Sequence, residues 1–140
     1  MIFLDSNVLI SAALVTHPHH QGSRALLAKA NNVGTVIAAH TIAEVYASLT
    51  RIPPPERVSP TVAMQAIEAF LLRMRLIALT TEEYLRTVQE TARNGHSGGM
   101  IYDALLMACA RKSRSEHIYT WNIKHFRAIA PDLADRIITP

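Results

Sequence analysis

Met1-Ile2-Phe3-Leu4-Asp5-Ser6-Asn7-Val8-Leu9-Ile10 runs from a short apolar stretch into three polar residues that favour a helix start, then turns apolar again. An apolar run this brief, stopped by helix-capping residues, reads as a buried strand feeding a helix. The same unit recurs. Val36 to Ala39, Leu76 to Leu79 and Ile118 to Tyr119 are short apolar runs separated by longer helix-patterned segments, and Arg136 to Thr139 reads as a last strand. Strands alternating with helices build a parallel sheet covered on both faces, so the predicted class is α/β with a central parallel β-sheet. Local chemistry marks the helix ends. Ser59 before Pro60 is an N-cap with proline in the first turn, Thr80 with Glu83 is a capping box, and Gly34 and Gly95 are expected to close helices in the left-handed conformation. Ile52-Pro53-Pro54-Pro55-Glu56-Arg57 predicts a stiff surface connection, and the glycines of Asn94 to Gly99 a turn or a flexible flap.

The chain has 140 residues, of which 49% are hydrophobic and 18% charged, which predicts one domain over 1–140 with a core of its own. Cys109 is the single cysteine, so a disulfide-stapled scaffold and a cysteine-based zinc site are both excluded. A reducing, cytoplasmic setting is expected. No stretch approaches the roughly 18 apolar residues of a membrane span. Against 11 acids stand 14 basic residues, a net charge of +3 that is compatible with a phosphate-bearing partner without establishing one.

Most acids lie in polar surroundings, but Asp5, Glu44 and Asp103 are embedded in apolar sequence, where an ionised carboxylate needs a cation, a metal or several hydrogen bonds. Asp103 lies within Met100-Ile101-Tyr102-Asp103-Ala104-Leu105-Leu106-Met107-Ala108-Cys109-Ala110. That helix is apolar on every face, and no basic residue stands three or four positions from Asp103. A salt bridge to a distant arginine is the alternative to a functional site. Asp5 ends the first strand, on the side where α/β sheets bind ligands, although it could equally cap the next helix. Glu44 follows the second strand, and Thr41, Glu44, Ser48 and Arg51 share the spacing of an ordinary solvated face. Thr120-Trp121-Asn122 follows the fourth strand. With parallel strands and right-handed crossovers these groups converge on one edge, and crowded carboxylates without cysteine call for a hard divalent cation, Mg²⁺ or Mn²⁺.

Asp5-Ser6-Asn7-Val8-Leu9-Ile10, Glu44, Tyr102-Asp103-Ala104 and Thr120-Trp121-Asn122 with Lys124-His125-Phe126 together resemble the PIN-domain ribonucleases, and among them the VapC toxins of type II VapBC toxin–antitoxin pairs. The resemblance covers essentially the whole chain. It implies a PIN-like three-layer α/β/α sandwich with strand order 3-2-1-4-5, a Mg²⁺- or Mn²⁺-dependent endoribonuclease, a VapB-type antitoxin and a homodimer. Many relatives carry a fourth acid at the position of Asn122 or His125; its loss here predicts weaker binding and one firmly held ion.

The expected roles follow. Asp5, Glu44 and Asp103 hold the metal, and with Asn122 form the candidate catalytic set. Ser6 and Thr120 support them; Asn122 and Thr120 orient a water or the scissile phosphate. Arg51, Arg57, Lys124 and Arg127 are placed to meet RNA phosphates. Arg111, Lys112 and Arg114 instead complement the carboxyl end of the apolar helix. Rival readings remain. Two of the seven histidines could cleave RNA without metal, although His17, His19 and His20 lie beside no predicted strand end. A haloacid-type phosphatase is disfavoured because Asn7 stands where that site has its second aspartate. A degenerate PIN domain could bind RNA or a protein partner without cutting. Ala63, Ile67, Phe70 and Leu71 could supply either core or interface.

Overall fold

The computed structural model describes residues 1–140 and contains one five-stranded sheet. Its strands β1 (Ile2–Leu4), β2 (Thr35–Ala38), β3 (Arg75–Ile77), β4 (His117–Tyr119) and β5 (Ile137–Ile138) lie in the order β3-β2-β1-β4-β5. Every pairing is parallel. Alternation along the strands sends neighbouring side chains to opposite faces and so divides the interior in two. Phe3, Val36 and Ala38 join one core with Leu106, Met107, Phe126 and Ile137, under α6 (Met100–Lys112) and α7 (Ile123–Ile129). Leu4 and Ile37 face the other, beneath α1 (Ser6–Ala13), α2 (His20–Ala28), α3 (Ala39–Arg51) and α4 (Pro60–Leu71). The result is the three-layer α/β/α arrangement that the strand pattern and the resemblance imply. Ala63 and Ile67 are buried in this second core, with Phe70 and Leu71 packed partly against it.

The helix-start signals act as expected. The Ser59 hydroxyl accepts the Val62 amide at 3.3 Å. Thr80 and Glu83 close a full capping box at the head of α5 (Thr81–Arg93). Ser59→Ala should lower unfolding free energy by about 1 kcal/mol, read from denaturant melts, because one amide of the first turn loses its acceptor. Gly95 takes φ +73° after α5, but Gly34 does not enter the left-handed region. α2 already ends at Ala28, and Gly34 closes a separate turn in which its amide donates to Asn31 Oδ1 at 2.8 Å. No helix is long and apolar enough to cross a membrane.

Candidate active site

Sheet register assembles the first part of the site. Leu4 pairs with Tyr119, and the next amide, Asp5 N–H, donates to Tyr119 O at 3.0 Å, which sets Asp5 against Thr120. The Thr120 hydroxyl donates to Asp5 Oδ2 at 2.7 Å and accepts from Asn7 Nδ2 at 3.2 Å and from the Asn122 amide at 3.0 Å. Its proton and both lone pairs are thus engaged. Thr120, fully buried, cannot also hold a water or a phosphate as the sequence suggested; it fixes the direction of Asp5. Asn7 completes the lock by accepting the Trp121 amide on Oδ1 at 3.2 Å. Asp5 is the N-terminal flanking residue of α1, yet its carboxylate makes no capping bond. It turns to Thr120 and to the Ser6 hydroxyl, which donates to Oδ1 at 3.3 Å.

Burial pushes the Asp5 carboxyl up to about 7, against the Thr120 hydroxyl, which holds it down; the charges of Glu44 and Asp103 raise it further. Both acids are therefore within electrostatic reach of Asp5. Burial also raises Glu44, opposed by the Ser6 hydroxyl and by His40, whose Nε2 stands 3.7 Å from Glu44 Oε1. Glu44 Oε2 is buried and has no hydrogen-bond partner, a costly state for a carboxylate oxygen. Thr41, one turn earlier on α3, has an equally orphaned hydroxyl and is fully buried, so this stretch is not the solvated face its spacing allowed. Asp103 lies in the first turn of α6, where the helix dipole favours negative charge. Its carboxyl is raised by burial and lowered by His125, whose Nε2 is 2.6 Å from Oδ2. The partner that Asp103 required comes from α7 and is an imidazole, not an arginine.

The three carboxylates interact, but no three acidic, histidine or cysteine side chains close on one point at ligating distance. Sharing one ion requires half-buried Glu44 and Asp103 to rotate toward Asp5, or water to bridge them. Asn122 flanks α7 with an exposed side chain that bonds nothing; its backbone amide is the part tied into the site. Of the four cationic candidates, Arg51 and Lys124 are exposed and Arg57 bonds Ile52 O at 3.0 Å within its own loop. Arg127 is exposed but partly committed. Its guanidinium donates to Ala134 O at 3.0 Å and Ile137 O at 2.9 Å, pinning the last turn to β5. Arg111 and Lys112 do lie in the last turn of α6, paired at 2.6 Å with Asp132 and Glu83. The largest cavity, about 450 Å³, lies by these pairs between α5 and α6 and touches none of the three acids.

Three features escaped the sequence reading. His125 on Asp103 and His40 on Glu44 are contacts of the site's own acids; the second follows i,i+4 helix spacing and was legible, the first was not. The histidine loop, expected to lie apart, reaches Trp121 beside the end of β4: the His19 and Trp121 rings stack at 3.9 Å and 6°.

Comparison with known proteins bears on the fold and the family. The PIN domain family profile matches residues 2–130. Ribonuclease VapC40 of Mycobacterium tuberculosis is 34% identical over 106 residues, 76% of this chain and 75% of that protein. The crystal structure of M. tuberculosis VapC20, described as a Sarcin-Ricin loop cleaving toxin, superposes with TM-score 0.74 at 19% identity, covering 91% of this chain and 95% of that one. VapBC2 from Rickettsia felis, crystallised bound to a DNA fragment from its promoter, gives TM-score 0.59 at 25% identity over 92% of this chain and 93% of that one. The strand order and these matches together place the chain in the PIN-domain family, among the VapC ribonuclease toxins of toxin–antitoxin systems.

Proposed function

We propose that the chain is the toxin of a VapBC-type pair, an endoribonuclease that hydrolyses RNA phosphodiesters at a divalent ion held by Asp5, Glu44 and Asp103. The orphaned Glu44 Oε2, buried beside two further carboxylates, is the observation that carries this reading. An all-oxygen, anionic donor set fits Mg²⁺ or Mn²⁺. Bound there, such an ion supplies the charge that makes the acids compatible, screens the phosphoryl oxygens and acidifies a water for in-line attack. The chain's own contribution is orientation. Thr120 aims Asp5, Ser6 stands by Asp5 and Glu44, and exposed Asn122 is left to position a water or the scissile phosphate. Arg51, two helical turns or about 10 Å beyond Glu44, guides the RNA backbone with Lys124 and Arg57. A VapB-type antitoxin covers the site with a basic side chain, and the toxin acts as a homodimer. Buried, unpaired Cys109 suits a reducing cytoplasm, where RNA and such a partner are met.

The test is RNA cleavage with Mg²⁺, with Mn²⁺ and with chelator, followed by end-group analysis. Cleavage with either ion, silence in chelator, and 5′-phosphate with 3′-hydroxyl ends are expected. Cleavage that survives excess chelator would overturn the carboxylate site. RNA binding without turnover would select the non-cleaving domain, a reading favoured by Asn122 and His125 standing where relatives place an acid. Arg51→Ala should raise KM roughly threefold to tenfold with kcat little changed, since a phosphate contact positions RNA without touching the reacting atoms.

A further inference from the structure

Trp121 directly follows Thr120, yet its side chain is tied to a helix that supplies none of the three acids. The indole N–H donates to Ser23 Oγ on α2 at 2.9 Å, 98 positions away in the chain. Ser23 Oγ stands 2.7 Å from Ser11 Oγ on α1, and Ser11 Oγ stands 2.7 Å from Asn7 O. The direction of this chain is fixed at both ends. An indole can only donate and a carbonyl can only accept, so Ser23 accepts from the indole and donates to Ser11, which donates to Asn7 O. Asn7 closes the circuit, since its side chain accepts the Trp121 amide on Oδ1 and donates to Thr120 Oγ1. A ring of hydrogen bonds thus joins α1, α2 and the turn after β4, and Thr120 carries it on to Asp5. Ser11 and Ser23 are both fully buried, where alanine would pack without a desolvation cost. Gly22 lets α2 come this close, because a Cβ there would stand 3.1 Å from the indole.

We propose that Ser23 is a positioning residue for the ribonuclease site: bonded to Ser11 and to the Trp121 indole, it holds the Thr120–Asn122 turn against α1 and so keeps Asp5 and Asn122 in place. The inference rests on the ribonuclease reading above and deepens it, adding α2 to the site. A buried chain of hydrogen bonds is stiff while every member is paired, and the loss of one leaves its neighbour unsatisfied. Without Ser23 the turn keeps the bond from the Thr120 amide to Ile138 O and the two bonds to the Asn7 side chain, but loses its tie to α2. A shift of about 1 Å in the groups so held is enough to cost on the order of 100-fold in rate.

The experiment separates positioning from packing. Ser23→Ala, Trp121→Phe and the double variant are compared with wild type by denaturant unfolding in chelator, by calorimetric titration with Mn²⁺, and by steady-state cleavage of one RNA substrate in saturating Mn²⁺. Ser23→Ala orphans a buried indole N–H and should unfold at lower denaturant than wild type. The double variant removes both partners and should recover most of that loss. Activity should not follow stability. In all three variants kcat is expected to fall about 10- to 100-fold with KM within about twofold of wild type, and Mn²⁺ affinity to fall about threefold or more. Because both substitutions break the same bond, the double variant should be no slower than the slower single one.

The proposal is overturned if kcat of the double variant returns to wild type together with stability, which would make the serines a packing feature. It is equally overturned if the losses in kcat multiply, since Ser23 would then act other than through the indole, or if KM alone rises. Should Ser23→Ala fail to fold, Trp121→Phe and the double variant decide between the same outcomes. Wild-type rates in every variant would remove this inference alone. A wild type that cuts no RNA with either ion would remove the ribonuclease reading beneath it, and Mn²⁺ affinity would still decide the role of Ser23: an unchanged value in the variants overturns it.

Discussion

In chelator at about pH 8, the Asp5→Asn protein should unfold at a higher denaturant concentration than wild type while cleaving RNA at least about a thousandfold more slowly when the ion is restored. The stability gain follows from burial. Asp5 is 2% exposed, and its carboxyl is pushed up to about 7. A carboxyl raised in the folded state binds its proton more tightly there than in the unfolded chain. The folded state is therefore favoured below the ordinary aspartate range, loses ground as pH rises toward about 7, and keeps the full deficit above it. That deficit is on the order of 4 kcal/mol. Asparagine bears no charge and still offers Oδ1 to the Thr120 hydroxyl, which now reaches Asp5 at 2.7 Å. The difference between the two proteins should shrink to near zero at about pH 4, where wild-type Asp5 is protonated in the folded state. Adding Mn²⁺ should stabilise wild type and leave Asp5→Asn nearly unmoved. Equal denaturation midpoints at about pH 8 would mean that the buried carboxylate is compensated within the protein and needs no cation.

This conflict between stability and charge is what made part of the site readable in advance. Asp5, Glu44 and Asp103 stood out because each violates the local apolar pattern, and the folded chain brings all three within electrostatic reach of one another. The strand runs, the Ser59 cap and the Thr80–Glu83 box were readable for a different reason: their partners lie within a few residues, so backbone geometry alone decides them. What failed depended on distance along the chain. His125 meets Asp103 from another helix, and Trp121 meets Ser23 from 98 positions away, contacts that no local rule encodes. Arg127 looked wholly available to phosphate because a basic residue near a site has no visible partner in sequence, and here two backbone carbonyls take part of its exposed guanidinium. Thr120 was read both as a support for the acids and as a group that orients water or phosphate, because a hydroxyl's hydrogen bonds are invisible in sequence; all of them are internal, and one supports Asp5. Gly34 misled through its position after a helical pattern that ends earlier than the pattern does.

His125 offers the most direct test of the proposed ion site. Its imidazole lies 2.6 Å from Asp103 Oδ2, so in this arrangement one carboxylate oxygen is committed to a side chain that is cationic when protonated. Both groups are partly solvated, which limits the pair to about 1 kcal/mol. His125→Asp should exchange that attraction for repulsion, lowering stability in chelator by roughly 1–2 kcal/mol. The same change frees Asp103 and adds a fourth anionic oxygen donor, so Mn²⁺ and Mg²⁺ should bind at least about tenfold more tightly by calorimetric titration. The thermal shift produced by saturating Mn²⁺ should grow accordingly, since it includes recovery of the repulsion. Asp103→Asn gives the opposite limit: weaker ion binding, no repulsive cost, and cleavage slower by about a thousandfold or more, because a ligand and its charge are removed together. If His125→Asp left ion affinity unchanged while Asp103→Asn abolished it, position 125 would face Asp103 without facing the ion. The imidazole would then be a structural partner of α6, and the site would be complete with three acids.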